Sequence, residues 1–146
     1  MPAQFDSFGV RFLYPDNWTV ADRDEEEGDQ GATLDLPTGG FISLELTHAD
    51  AVDDLVEGIV RTIAAEYDDL EREESHLEVL PESTPVTDLR FYYLDLLIVS
   101  RLVFLKPPSD ELGENVLVIQ MQAESRDFDK NEAVFAAILK QIVDLS

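Results

Sequence analysis

Asp50 to Leu70 reads DAVDDLVEGIVRTIAAEYDDL, and its apolar residues recur at three- and four-residue steps. Val52, Leu55, Val56, Ile59, Val60, Ile63, Ala64, Tyr67 and Leu70 fall on one stripe. Asp53, Asp54, Glu57, Arg61, Glu66, Asp68 and Asp69 fall opposite, which is the period of an amphipathic helix. Asp50 is suited to cap its start, and Asp53 and Asp54 put negative charge in the first turn, where the helix dipole favours it. Asp68, Asp69 and Glu71 oppose that dipole at the other end, with Arg72 as the local compensation. The spacing therefore predicts a long helix from Ala51 to Leu70 whose last turn frays.

The sequence on both sides of this helix has the period of strands. Upstream, Phe8, Val10, Phe12 and Tyr14 alternate with Gly9, Arg11 and Leu13 as a half-buried first strand. Pro15-Asp16-Asn17 then predicts a tight hairpin into Trp18-Thr19-Val20, because proline presets φ and the Asp and Asn side chains bond to nearby backbone. After a hydrophilic stretch from Asp22 to Asp29, Ala32, Leu34 and Leu36 form a third strand. Pro37-Thr38-Gly39-Gly40 reverses the chain, and Ile42, Leu44 and Leu46 form a fourth, completing a β-meander.

Downstream, Leu77 and Val79, with Leu80 beside them, mark a short strand closed by Pro81 and Pro85, which cannot donate within a ladder. Thr87 to Lys106 is rich in β-branched and aromatic residues and too long for one ordinary strand. Two segments meeting near Asp95 to Ile98, or one sharply bent strand, both fit it, since no Gly, Asn or Pro stands at the junction. Residues 107 to 114 read as a loop, and Val116 to Ala123 carries apolar residues on both faces, as a central strand does. A last helix starts at Asp129, with Glu132 completing a capping box, and buries Val134, Phe135, Ile138, Leu139 and Ile142. The whole is an α+β fold, an antiparallel sheet with helices packed on it. No repeat or linker divides it, so residues 1–146 are expected to form a single domain. Trp18, Leu44, Ile59, Phe91, Ile119 and Phe135 are the expected core.

Three of these stretches resemble the PsbP-like family, which includes a photosystem subunit, the Ran-release factor Mog, DcrB-like proteins and chaperones of secreted effectors. Phe12-Leu13-Tyr14-Pro15-Asp16-Asn17-Trp18 is similar to the family's F-x-Y-P-x-x-W opening. Pro37-Thr38-Gly39-Gly40 before a strand and the closing Phe135-Ala136-Ala137-Ile138-Leu139 extend the likeness over Phe8 to Leu145. The resemblance implies a PsbP-like α/β sandwich. Each motif is a turn or a core anchor, so it carries over no catalytic residue.

Composition narrows the function classes. Of 146 residues 45% are hydrophobic and 29% charged, an ordinary globular mixture that can form a core. Ten Lys and Arg stand against 32 Asp and Glu, a formal net charge of −22, which repels nucleic-acid phosphates and anionic lipid. The expected partner is a basic protein rather than nucleic acid or a membrane, and the sequence leaves monomer and homodimer both open. The absence of cysteine removes disulfides, thiolate metal sites and cysteine nucleophiles. The N-terminus has neither the basic nor the apolar region of a secretory signal, which makes the cytoplasm the expected compartment.

No pattern in the chain specifies chemistry. Asp22, Asp24 and Glu26 alternate like the start of a calcium loop, but Gly28 misses the sharp-turn position and Thr33 stands where a bidentate Glu is required. His48 and His76 lie on different elements and outside any zinc spacing, so surface or capping roles are expected of them. There is no G-x-S-x-G elbow and no phosphate loop. The expectation is thus a non-enzymatic interaction module, an adaptor or chaperone, with no cofactor, metal or catalytic residue. The alternative is a small-ligand protein or hydrolase with a pocket between sheet and helix. Candidate interaction residues are Asp24, Glu25, Glu26 and Glu27, for their local charge density, and Arg90, Tyr92 and Arg101, because Arg and Tyr are favoured in recognition patches, although pairing of Arg90 and Arg101 with nearby acids is the favoured reading of the two arginines.

Overall fold

The computed structural model describes residues 2–21, 31–81, 84–107 and 114–145. In chain order the strands are β1 (Ala3–Ser7), β2 (Val10–Tyr14), β3 (Thr19–Val20), β4 (Gly31–Asp35), β5 (Phe41–His48), β6 (Asp68–Ser75), β7 (Val86–Tyr93), β8 (Leu96–Leu105) and β9 (Asn115–Glu124). Helix α1 (Val52–Glu66) separates β5 from β6, and α2 (Ser125–Asp144) follows β9. Strands β3 to β9 form a seven-stranded antiparallel sheet in the order β3-β4-β5-β9-β8-β7-β6, and β1 pairs with β2 in a separate two-stranded sheet. The fold is α+β, as the alternation of periods implies.

Strand alternation divides the core between the sheet's two faces. Leu34 of β4, Ile42 and Leu44 of β5, Ile119 and Met121 of β9 and Val103 of β8 join one cluster with Phe128, Phe135, Ile138, Leu139 and Ile142 of α2. The β1–β2 hairpin adds Phe5, Val10 and Phe12 to that cluster, and the Trp18 ring lies 5.8 Å from that of Phe135. On the opposite face Leu89 and Phe91 of β7 and Leu102 of β8 meet Val56 and Ile63 of α1. Central strand β9 has buried residues on both faces, Ile119 toward α2 and Val118 away from it, which accounts for its unbroken apolar run. Five of the six expected core residues, Trp18, Leu44, Phe91, Ile119 and Phe135, are buried, and Ile59 packs half-buried against the α1 cluster.

Several local expectations are corrected. Phe8 is not strand: Phe8 and Gly9 both have positive φ, 38° and 82°, and form the two-residue turn from β1 to β2. Strand β1 escapes a pattern reading because Phe5 is its one buried side chain. The turn at Pro15 forms, with the Trp18 N–H donating to the Pro15 carbonyl 3.1 Å away, but it makes no hairpin. Thr19 and Val20 pair with Asp35 and Leu34 of β4, so the turn carries the chain from the small sheet to the large one.

The long helix stops at Glu66 instead of Leu70. Tyr67 is extended, Asp69 takes φ 56°, and the acids that oppose the helix dipole go into β6, whose register slips between Asp68 and Glu71. A strand so dense in charge suits its place at the sheet edge, where it discourages pairing with other chains. The helix start also differs: a turn of 3-10 helix, Ala49–Ala51, precedes α1, and His48 caps that turn by accepting the Asp50 N–H at its Nδ1, 3.2 Å away. Leu77 to Leu80 forms a turn rather than a strand, closed by the Leu80 N–H donating to the Leu77 carbonyl.

Thr87 to Lys106 is a hairpin and not a bent strand, with Tyr93 paired to Leu96 and Leu94-Asp95 as its loop. Leu94 supplies the positive φ, 56°, that Gly or Asn ordinarily supplies. Helix α2 begins four residues before Asp129, at Ser125. Glu124 is its cap, accepting the N–H groups of Arg126 and Asp127, and the earlier start seats Phe128 in the core. Residues 22–29 and most of the 107–114 loop lie outside the described residues.

Candidate functional site

Helix α1 closes on the sheet along only part of its length. Its buried residues Val56 and Ile63 meet Leu89, Phe91 and Leu102, and beyond its end the Tyr67 ring lies tilted against that of Phe91, their centroids 4.8 Å apart. Toward its N-terminus helix and sheet part around a cavity of about 750 Å³. Val52 and Val56 of α1 wall it on one side, and Thr87, Phe104 and Val116 of β7, β8 and β9 on the other. The space is a cleft open to solvent, with the exposed Asp53, Glu57 and Lys106 on its lining.

The cleft's charged groups come from α1 and from the ends of β6 and β8. Arg72 Nη1 lies 3.1 Å from Glu57 Oε1, and Arg72 Nε lies 3.7 Å from Glu74 Oε1. Glu74 also accepts the buried Thr87 hydroxyl at 3.1 Å, so the chain Glu57–Arg72–Glu74–Thr87 ties α1 to β6 and β7. Asp53 in the first turn of α1 and Lys106 beyond β8 line the same cleft. Neither forms an ion pair or side-chain hydrogen bond among the described residues.

The second exposed feature is the β7–β8 hairpin tip. Tyr92, Tyr93, Leu94 and Leu96 are its exposed large apolar side chains, and Leu94 is 82% exposed. Tyr93 turns an edge toward the Tyr67 ring, 5.8 Å away. A branched apolar residue held at positive φ and in water is both strained and poorly solvated.

Three of the sequence-based candidates lie in the hairpin. Arg90 and Tyr92 share the α2-side face of β7, where Arg90 pairs with Glu73 at 2.9 Å and Tyr92 is exposed. Arg101 of β8 is drawn inward: it bonds Asp88 at 2.8 Å, lies 3.6 Å from Glu132 of α2 and sits over the Phe128 ring at 5.1 Å. Burial disfavours its charge, but the hydrogen bond and charge of Asp88, helped by Glu132, outweigh burial and hold the guanidinium above its ordinary value. Asp24, Glu25, Glu26 and Glu27 lie outside the described residues.

The cleft itself was missed as a set of residues, although its location between sheet and helix was anticipated. Its lining joins four strands and a helix, and no local pattern links Asp53 to Lys106. Among the described residues no group of three or more His, Asp or Glu is arranged to hold a metal ion. No protein-family model matches the chain, and no curated protein matches it.

Proposed function

We propose that this protein is a non-enzymatic binding protein that takes a small organic molecule into the cleft between α1 and the sheet. The observation that carries this reading is the cleft of about 750 Å³, within the size range of ligand pockets and lined by seven apolar and seven polar or charged residues. Binding rather than catalysis is favoured because Glu57, Arg72, Glu74 and Thr87 are already engaged with one another, and no imidazole lines the cleft. No helix among the described residues is long and apolar enough to cross a membrane.

The test is ligand-observed NMR with a library of small amphipathic molecules. Expected are binders that perturb Val52, Phe104 and Val116 and are displaced in Val116→Trp, a substitution that fills the cleft. A library without such binders, on protein shown to be folded, overturns the reading.

A second reading, an adaptor-like protein-interaction module, draws on the exposed hairpin tip, on the formal charge of −22 and on the PsbP-like motif order. A basic partner would be steered by Asp24 to Glu27 and would meet Tyr92 and its neighbours. Capture from native extract with wild type and with Tyr93→Ser/Leu94→Ser distinguishes the readings. Loss of a captured partner in the double variant, with association that slows as salt rises, favours this one.

A further inference from the structure

We infer that the tip of the β7–β8 hairpin docks a basic segment of a partner protein, one that carries an apolar residue between arginines. The inference deepens the interaction-module reading and rests on it. It starts from an apolar side chain in a costly place. Leu94 takes φ 56° in the two-residue loop and is 82% exposed, so backbone and solvent both disfavour a branched apolar residue where Gly or Asn is the ordinary choice. An apolar contact made from outside the chain removes the solvent part of that cost.

Leu94 has apolar company. Of the six exposed large apolar side chains among the described residues, Tyr92, Tyr93, Leu94 and Leu96 lie in this one tip, so the exposure is a patch rather than a scatter. Tyr93 and Leu96 are cross-strand partners and share a face. The patch is also held in place: the Tyr93 ring turns its edge to Tyr67, 5.8 Å away, and Tyr67 lies tilted against the buried Phe91. Side chains fixed in this way lose little freedom when a partner binds.

The charge around the patch selects the partner. The two segments that build it, residues 62–71 and 91–100, contain Glu66, Asp68, Asp69, Glu71 and Asp95 and no Lys, Arg or His. Asp95 follows Leu94 in the loop, and β6 brings the other acids alongside, since Asp68 is the backbone partner of Tyr92. Glu66, Asp69 and Asp95 are exposed and form no ion pair or side-chain hydrogen bond among the described residues, whereas Glu57, Glu73, Glu74 and Asp88 are each matched by an arginine. Along β7 the next cation, Arg90, is already taken by Glu73 at 2.9 Å. Across β8, where β9 passes into α2, Glu124 and Arg126 contribute one charge of each sign.

A second copy of the chain would set these acids against themselves, and an anionic membrane is repelled in the same way. A basic segment is drawn to all of them. Arginine suits the site better than lysine, because a planar guanidinium is weakly hydrated and stacks on a tyrosine ring while it pairs with a carboxylate. An apolar residue between two arginines then meets Leu94 and Leu96.

Four blocked peptides, read by protein NMR, test this: Gly-Ser-Arg-Leu-Arg-Ser-Gly, and the same peptide with lysine for arginine, with glutamate for arginine, or with serine for leucine. The first should shift Tyr93, Leu94 and Leu96 and weaken as salt rises. The lysine peptide should bind about threefold more weakly, and the glutamate and serine peptides about tenfold more weakly. Asp69→Asn/Asp95→Asn should weaken the arginine peptide about fivefold, and since asparagine tolerates the positive φ of Asp69 the variant is expected to fold. Leu94→Ser should remove the preference for leucine over serine in the peptide. The inference is overturned if the glutamate peptide binds as well as the arginine peptide, if the shifts fall away from the tip, or if no peptide binds. Phosphatidylcholine vesicles that broaden the tip resonances, or self-association lost in Leu94→Ser, overturn it in favour of a membrane or a second copy. A partner captured from extract that is lost in Tyr93→Ser/Leu94→Ser but indifferent to Asp69 and Asp95 overturns the basic-segment inference and leaves the interaction reading standing.

Discussion

Asp88 and Arg101 sit opposite each other on β7 and β8, with Arg101 Nε 2.8 Å from Asp88 Oδ1 and only 4% of the aspartate side chain exposed. Glu132 of α2, 3.6 Å from Arg101 Nη1, extends the pair from the sheet to the helix. Removing one member leaves the other as a buried charge without compensation, which costs more than the intact pair contributes.

Asp88→Ala should therefore destabilise the fold by about 3–5 kcal/mol, measured by urea unfolding, and Asp88→Leu/Arg101→Met should recover most of the loss. Because the Arg101 guanidinium is held above its ordinary value by charged Asp88 and Glu132, its contribution is present while those carboxylates are ionised and is lost as pH rises past the guanidinium. Mildly alkaline pH should leave this contribution intact. A double variant as unstable as Asp88→Ala would show that the pair contributes more than charge compensation.

Gly40 and Gly58 should respond to alanine in opposite directions. A Cβ at Gly40 would lie 2.6 Å from the Gln122 carbonyl oxygen and 2.9 Å from Ala123 Cβ, on the neighbouring strand, so Gly40→Ala should cost about 1–3 kcal/mol. At Gly58, inside α1, a Cβ meets nothing within 4 Å, and Gly58→Ala should stabilise by about 1 kcal/mol through helix propensity. Thermal unfolding of the two variants checks both signs.

Leu94→Gly should stabilise the protein, an unusual outcome for a leucine. The left-handed conformation costs a branched residue about 1–2 kcal/mol, partly offset by the extra unfolded-state freedom of glycine. At 82% exposure Leu94 loses almost no packing on truncation. A net gain of about 0.5–1 kcal/mol is expected. If the hairpin tip is a docking surface, the same variant should bind its partner more weakly while melting higher.

Glu124→Ala should cost about 1 kcal/mol, the ordinary loss for a helix cap, because its carboxylate accepts the N–H groups of both Arg126 and Asp127. Asp129→Ala, at the position expected from sequence to start the helix, should change stability by less than about 0.5 kcal/mol. Equal losses in the two variants would contradict the cap assignment. Chemical denaturation with a shared slope is the measurement.

The sequence by itself determined the alternation of strand and helix, and with it most of the core. Period-two spacing through Ala32, Leu34, Ile42 and Leu44, and helical spacing through Val56 and Ile63, place those residues on their buried faces whatever the topology. The charged surface and the absence of any cysteine chemistry were also legible, because they are counts. Element ends were less so. The α1 stripe continued through Tyr67 and Leu70, yet dipole-opposing acids and a bulged edge strand ended the helix at Glu66. Only the tertiary structure decided that β5 lies beside β9, that Thr19 and Val20 pair with β4, and that α1 stands away from the sheet at its start. Strand partners and cavities depend on residues far apart in the chain, and a periodic pattern encodes which face a side chain takes but not what will meet it there. For that reason the sequence offered Arg101 a pairing with nearby acids but not which ones, and the fold set it between Asp88 and Glu132, whereas Asp53 and Lys106 acquired a shared setting only when the chain folded.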